Sequence, residues 1–189
     1  MKLPVGVSCG AEKVRLYTDL VEKGINTADY SSAGRLFDAV AAITGLNHES
    51  SFHAEAPMRL ESAIDSDIDG SYDFDINEGV ISFGEMVYSL VSDVINGRPA
   101  GEISAMFHNC VANAIVTGVE YASGQTGISE VALSGGTFQN KYLTEMVMRE
   151  LLSRKFVVYY HRNIPPNDGG LALGQVMVAA AMRKAGKTG

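Results

Sequence analysis

Three short stretches hold residue types suited to a charged ligand. Ser134–Gly135–Gly136–Thr137 follows the apolar run Val131–Ala132–Leu133 and precedes a helical pattern through Leu143, Met146, Val147 and Leu151. Adjacent glycines let backbone amides approach a ligand closely, and the next helix offers free N–H groups and a positive dipole end, which suits a phosphate. The spacing matches neither the P-loop nor the GxGxxG pattern, and a two-glycine turn between strand and helix is also a common plain connection. Pro165–Pro166–Asn167–Asp168–Gly169–Gly170 again lies between a strand and a helix. In open α/β sheets ligands collect at the carboxyl ends of the strands, so Asp168 points to the same edge as the glycine pair. Taken alone, Asn167 and Asp168 read better as a helix cap. Asp38, one turn into a helical pattern after Gly34, suits either a ribose or water, and the local pattern leaves both open.

Other reactive types read as structure. Asp65, Asp67, Asp69, Asp73 and Asp75 lack the glycine and final glutamate of an EF-hand, so a solvated turn and strand face is expected. His108 has no second histidine four residues away and reads as an ordinary flanking residue. Cys9 and Cys110 are far apart and in no CxxC, which excludes a disulfide scaffold and a cysteine zinc site. Cys110 falls on the apolar side of a helix and reads as a core thiol.

The elements that must position these residues follow from periodicity. Leu36, Val40 and Ile43 mark a helix ending at Gly45, and a second begins near Pro57 with Met58, Leu60 and Ile64. Tyr72, Phe74 and Ile76 alternate with polar residues over 71–77, predicting a half-buried strand. Ser82–Phe83–Gly84–Glu85 has the form of a capping box, opening a helix through Met86, Leu90 and Val94 that stops at Gly97. The longest helix is expected over 102–122. Strands at 130–133 and 156–160 and helices after each loop give the rhythm of an α/β layer. Residues 1–24, interrupted by Pro4, Gly6 and Gly10, show no pattern.

Composition narrows the class. Of 189 residues 46% are hydrophobic and 20% charged, as in a globular chain with a real core. A net charge of −7 and a pI near 5.0 argue against a large basic surface for nucleic acid. No stretch approaches the roughly 18 apolar residues of a membrane span, and no signal-peptide core opens the chain. A cytoplasmic protein is expected.

Together the segments resemble one family. Ser31–Ser32–Ala33–Gly34–Arg35–Leu36–Phe37–Asp38–Ala39–Val40–Ala41–Ala42, then Leu133–Ser134–Gly135–Gly136–Thr137–Phe138–Gln139–Asn140 (its LSGGxFQN segment), then residues 164–175 (IPPNDGGLALGQ) are similar, in order and spacing, to the HypF carbamoyltransferases. The resemblance covers about residues 24–183. It implies an α/β lobe of an actin-like ATPase (ribonuclease H-like) fold with additional helices, similar to the tRNA threonylcarbamoyl-transferring enzymes. It also implies that carbamoyl phosphate and ATP give a carbamoyl-adenylate. The carbamoyl group then passes to the terminal cysteine of a HypE-type partner and becomes the cyanide ligand of nickel–iron hydrogenases. Carried over by position, Asp38 would hold the ribose hydroxyls, and Gly135, Gly136 and Asn140 would line ATP or the adenylate, with Ser134 close by. Asp168 would be a ligand of a divalent metal, whether Mg, Zn or Fe.

Two departures stand out. No HxxxH occurs, and His48 and His53 are five apart, so the chain supplies at most one metal ligand. Where the family has a glycine-containing EGQ-like segment, this chain reads Phe52–His53–Ala54–Glu55–Ala56. The expected organisation is an irregular start of a truncated domain at 1–30, the carboxy-terminal lobe at 31–184 and a tail at 185–189. Such a fragment is expected to be inactive alone. The alternatives are a tRNA-modifying lobe and a non-catalytic module that docks or self-associates through an exposed apolar face.

Overall fold

The computed structural model describes residues 3–186. Its centre is the long helix α6 (Ala100–Thr126), preceded by α1 (Pro4–Cys9), α2 (Ala11–Glu22), α3 (Ala33–Thr44), α4 (Glu55–Ser62) and α5 (Gly84–Ile95). A hairpin, β1 (Asp75–Asn77) and β2 (Val80–Ser82), separates α4 from α5. After α6 come β3 (Glu130–Leu133), a 3-10 turn (Gly136–Gln139), α7 (Lys141–Ser153) and β4 (Val157–Tyr160). A second 3-10 turn (Asp168–Gly170) then leads into α8 (Leu171–Lys184).

The apolar stripe of α6 draws the other elements together. Ile103, Phe107, Cys110 and Val111 are buried against Phe37 and Val40 of α3, Leu60 of α4, Leu90 of α5, and Leu143, Val147 and Leu151 of α7. The Phe37 and Phe107 rings meet edge to face at 4.8 Å, a preferred aromatic geometry. Cys110 lies in this core as expected, and burial pushes its thiol up to about 12, which leaves it unreactive.

β3 and β4 run parallel, Leu133 opposite Tyr160, with α7 as the crossover between them. This is the α/β unit that the strand–loop–helix rhythm predicts. The hairpin was not predicted. The strand expected over 71–77 shrinks to Asp75–Asn77, because Glu78 (φ 50°) and Gly79 (φ 83°) make a tight turn that pairs it with Val80–Ser82. Ser82 ends a strand instead of capping a helix, and its hydroxyl stands 3.5 Å from the Gly84 amide. The capping box is therefore not formed. The patternless first 24 residues contain α1 and α2, so the irregular start is corrected. Neither helix buries a residue, and without a buried face there is no strong apolar period to read.

Candidate functional site at the carboxyl ends of the parallel strands

The parallel register sets the site. With Leu133 opposite Tyr160, the next residues, Ser134 and His161, emerge side by side, and Ser134 Oγ lies 3.1 Å from His161 Nε2. One residue on, the Gly135 amide donates to the Pro166 carbonyl at 2.9 Å. A Cβ on Gly136 would reach Asn167 Cβ at 3.9 Å. The glycine loop and the Pro-Pro-Asn-Asp loop, some thirty residues apart in the chain, thus form one edge.

Each loop has a local reason for its shape. Gly135 holds φ +104°, a conformation that glycine adopts without steric cost. In the second loop the Asn167 side chain accepts from the Gly169 amide. A Cβ on Gly170 would meet the Pro165 carbonyl oxygen at 2.8 Å, so the chain passes too close for a side chain. Asn167 thus caps this 3-10 turn, whereas neither it nor Asp168 caps α8, whose N-cap residue is Gly170 with no side-chain cap. Asp168 is exposed beside it.

The backbone donors fall differently from the sequence expectation. The amide of Gly135 is committed to Pro166. The first amides of α7 are also committed: Glu61 Oε1 accepts from Lys141 at 2.7 Å and Tyr142 at 3.2 Å, and Asn140 Oδ1 accepts from Leu143 at 2.8 Å. A carboxylate at that end also suits the helix dipole. The helix start after the glycine pair is therefore closed by protein groups and offers no free N–H row to a phosphate. The donors left at this edge are the Gly136 and Thr137 amides, which open the 3-10 turn where no intrahelical acceptor exists. The Ser134 hydroxyl and the His161 ring lie beside them.

Asn140 and Asp38 sit apart from this edge in different ways. Asn140 is buried, and both ends of its amide are engaged by protein, the oxygen by Leu143 and the nitrogen by His108 Nε2 at 2.9 Å. Asp38 is half-exposed on α3 and pairs with Arg35 at 3.0 Å. Its helix packs against the 3-10 turn of the glycine loop, so the two are neighbours at element level.

Three positions were not singled out as site residues from the sequence. His161 stands beside Ser134, and Arg162 lies 5.0 Å over the Tyr160 ring, a cation–π distance. Their signal was available, since both directly follow a strand parallel to the one that precedes Ser134. His108 is the correction. It is no flanking residue but fully buried. Its Nδ1 lies 2.7 Å from the Ser104 carbonyl oxygen, which can only accept, so Nδ1 carries the proton and Nε2 accepts from Asn140. Burial holds its pKa down to about 4, against the pull of the Ser104 carbonyl.

A metal finds one fitting group here. Asp168 is an exposed carboxylate, suited to a hard cation as a single ligand. Among the described residues no three His, Cys, Asp or Glu side chains come together as a cage. Among the described residues, shallow surface hollows lie along α4 with Leu46, Phe52 and Met58 and on α8 with Leu171, Val178 and Met182. None of the six candidate residues lines either.

The fold and its loop edge define a mixed α/β lobe of the kind found in HypF structures. The chain superimposes on full-length HypF, solved in a phosphate- and nucleotide-bound form, with a TM-score of 0.87 and 34% identity, covering 94% of this chain and 24% of that one. HypF of T. kodakarensis matches with a TM-score of 0.81 and 26% identity, covering 97% of this chain and 24% of that one. The carbamoyltransferase HypF of Rhodobacter capsulatus is 38% identical over 167 residues, which are 88% of this chain and 22% of that protein. Residues 5–175 match the family described as carbamoyltransferase, Kae1-like domain, second subdomain, and the chain belongs to that family. It spans about a fifth of the length of the first curated relatives it matches, 22% and 20% for two of them.

Proposed function

We propose that this chain is the carboxy-terminal lobe of an ATP-dependent carbamoyltransferase domain with an actin-like ATPase (ribonuclease H-like) architecture. One observation carries the reading. The LSGGxFQN and IPPNDGG segments close into a single edge at the carboxyl ends of β3 and β4 through the Ser134–His161 and Gly135–Pro166 contacts. In this reading the amides of Gly136 and Thr137 and the Ser134 hydroxyl receive phosphate oxygens, and Asp38 on the adjacent α3 holds the ribose hydroxyls. Asn140 acts from behind, by fixing the loop. Asp168 is one ligand of a divalent metal whose remaining ligands lie outside this chain, and the metal when bound clamps phosphate charge.

The longer protein then moves a carbamoyl group from carbamoyl-adenylate, made from carbamoyl phosphate and ATP, to the terminal cysteine of a HypE-type partner in the cytoplasm. The product serves the cyanide ligand of nickel–iron hydrogenases. This chain by itself is inactive and keeps a part of the nucleotide face. The test is the melting temperature of the chain with and without excess Mg-ATP, with Asp38→Ala as control. Ligand at about 100 times its Kd adds roughly 2.7 kcal/mol, and each kcal/mol moves Tm by about 2–4 °C at this size. A shift of that order, lost in Asp38→Ala, supports the reading. A shift retained in Asp38→Ala removes Asp38 from the site, and no shift removes nucleotide binding from this lobe.

A further inference from the structure

We infer that His108 is a positioning residue for the glycine loop: through Asn140 it fixes the end of that loop against α6. The ring's position in the core, among Phe37 at 5.3 Å, Phe107 at 5.5 Å and Tyr142 at 5.8 Å, all edge to face, would accept an apolar side chain of similar size. Only a histidine in the Nδ1–H form satisfies both polar neighbours there, donating to the Ser104 carbonyl and accepting from the Asn140 amide.

That acceptor decides how Asn140 points. With its nitrogen held by His108, its oxygen faces the Leu143 amide and caps α7. Turned over, it would set two donors against each other at Leu143 and two acceptors against each other at His108. Asn140 also closes the turn that begins at the glycine loop: its own amide donates to Thr137, and Phe138 donates to the Gly135 carbonyl. The path from the ring to Gly135 is therefore short, running through these hydrogen bonds and the peptide link between Thr137 and Phe138. On the other side the same network ties in α4. The Ser104 hydroxyl donates to the Leu60 carbonyl, and the adjacent Glu61 holds the first amides of α7. The Tyr142 hydroxyl donates to Asn109 of α6. Among the described residues no buried side-chain polar atom lacks a partner. A fully satisfied buried network of this kind selects one arrangement over others that an apolar core would tolerate.

The link to ligand binding rests on the nucleotide reading proposed above, while the positioning of the loop does not. The experiment separates them. In the ¹⁵N-labelled 189-residue chain, imidazole nitrogen shifts report the His108 tautomer, and amide hydrogen exchange is followed at Gly135 and Leu143. His108→Leu, His108→Gln and Leu90→Ala, a core truncation on α5 away from Asn140, are compared at matched global stability. We expect the Nδ1–H form in the parent chain. We also expect exchange at Gly135 and Leu143 in His108→Leu to be faster by about ten-fold or more than in Leu90→Ala, since a buried amide has lost its acceptor. His108→Gln, which keeps an acceptor oxygen, should recover part of that protection. An Nε2–H tautomer overturns the inference, as does equal exchange in His108→Leu and Leu90→Ala. Mg-ATP affinity, read on the same samples, should fall with loop protection. Normal loop behaviour in a chain that never binds ATP sinks the nucleotide reading and leaves the positioning role standing.

Discussion

Two residues carry strain or charge that the rest of the lobe must hold in place. Ala54 precedes α4 at φ 61°, ψ 21°, a left-handed conformation that costs an alanine about 1 kcal/mol relative to glycine. Ala54→Gly should therefore stabilise the chain by about 0.5–1 kcal/mol, read as a rise in the urea midpoint with an unchanged slope. Next to it Glu55 is buried and accepts from the Ser51 amide and hydroxyl and from Arg59. The Ser51 bonds, then Arg59, hold its pKa below the ordinary value. Its contribution is present above the unfolded value and is lost as pH falls through the folded one. His108 acts at higher pH. Folded, its pKa is about 4 against 6.5 unfolded, so the unfolded chain takes up a proton that the folded chain refuses, and stability declines as pH drops from about 6.5 toward 4. Linkage gives a loss of about 2 kcal/mol between pH 7 and pH 5. Chemical unfolding at the two pH values checks this, and a His108→Gln chain should show a clearly flatter dependence.

At the scale of elements, the junction of α4 and α7 decides the form of the candidate site. α7 begins where the glycine loop ends, and its first amides are capped from two directions, by Asn140 within the loop and by Glu61 from a helix 80 residues earlier. Glu61→Ala should cost about 1–2 kcal/mol, combining a lost cap with a lost carboxylate at the positive end of a helix. Because Asn140 keeps its own bonds, the loss should appear as faster amide exchange at Lys141 and Tyr142 before Leu143. Uniform acceleration along α7 would contradict this order. The misread elements share one cause. Ser82 sits in a sequence that suits a capping box, but Glu78 and Gly79 bring the chain back as a hairpin, and strand pairing outweighs a local cap.

At the scale of the whole molecule, burial is uneven. α8 carries Leu171, Leu173, Val176, Met177, Val178 and Met182, all exposed, and buries no residue. A helix apolar on all sides is ordinarily enclosed on all sides. The β3–β4 pair is also open, with Val157, Tyr159 and Tyr160 exposed, whereas parallel sheets are usually covered on both faces. Contiguous apolar surface of this kind favours association. Sedimentation of the chain at rising concentration should show increasing mass, and Val176→Lys with Val178→Lys should shift the onset to higher concentration. A mass equal to the monomer's at every concentration would remove self-association. Among the described residues no helix is long and apolar enough to cross a membrane.

Periodicity made the helices around Leu36–Ile43, Met86–Val94 and Ile103–Ala122 legible, because their core-facing residues recur at the helical period. The wording and spacing of three segments, Ser31–Ala42 with the glycine and Pro-Pro-Asn-Asp loops, were enough to reach the family. The sequence also determined that Cys110 would be buried, since it lies in the apolar stripe of α6. Only the tertiary structure decided which groups face a ligand. Asn140 belongs to the LSGGxFQN wording, yet it turns inward because a histidine 32 residues earlier presents an acceptor to it. The amides of α7 are closed because Glu61 reaches them across the fold. His161 joins Ser134 because the parallel register sets their strands side by side. Local sequence fixes the dihedral preferences and apolar periods of a segment. Hydrogen-bond partners distant in the chain are chosen only when packing brings the elements together.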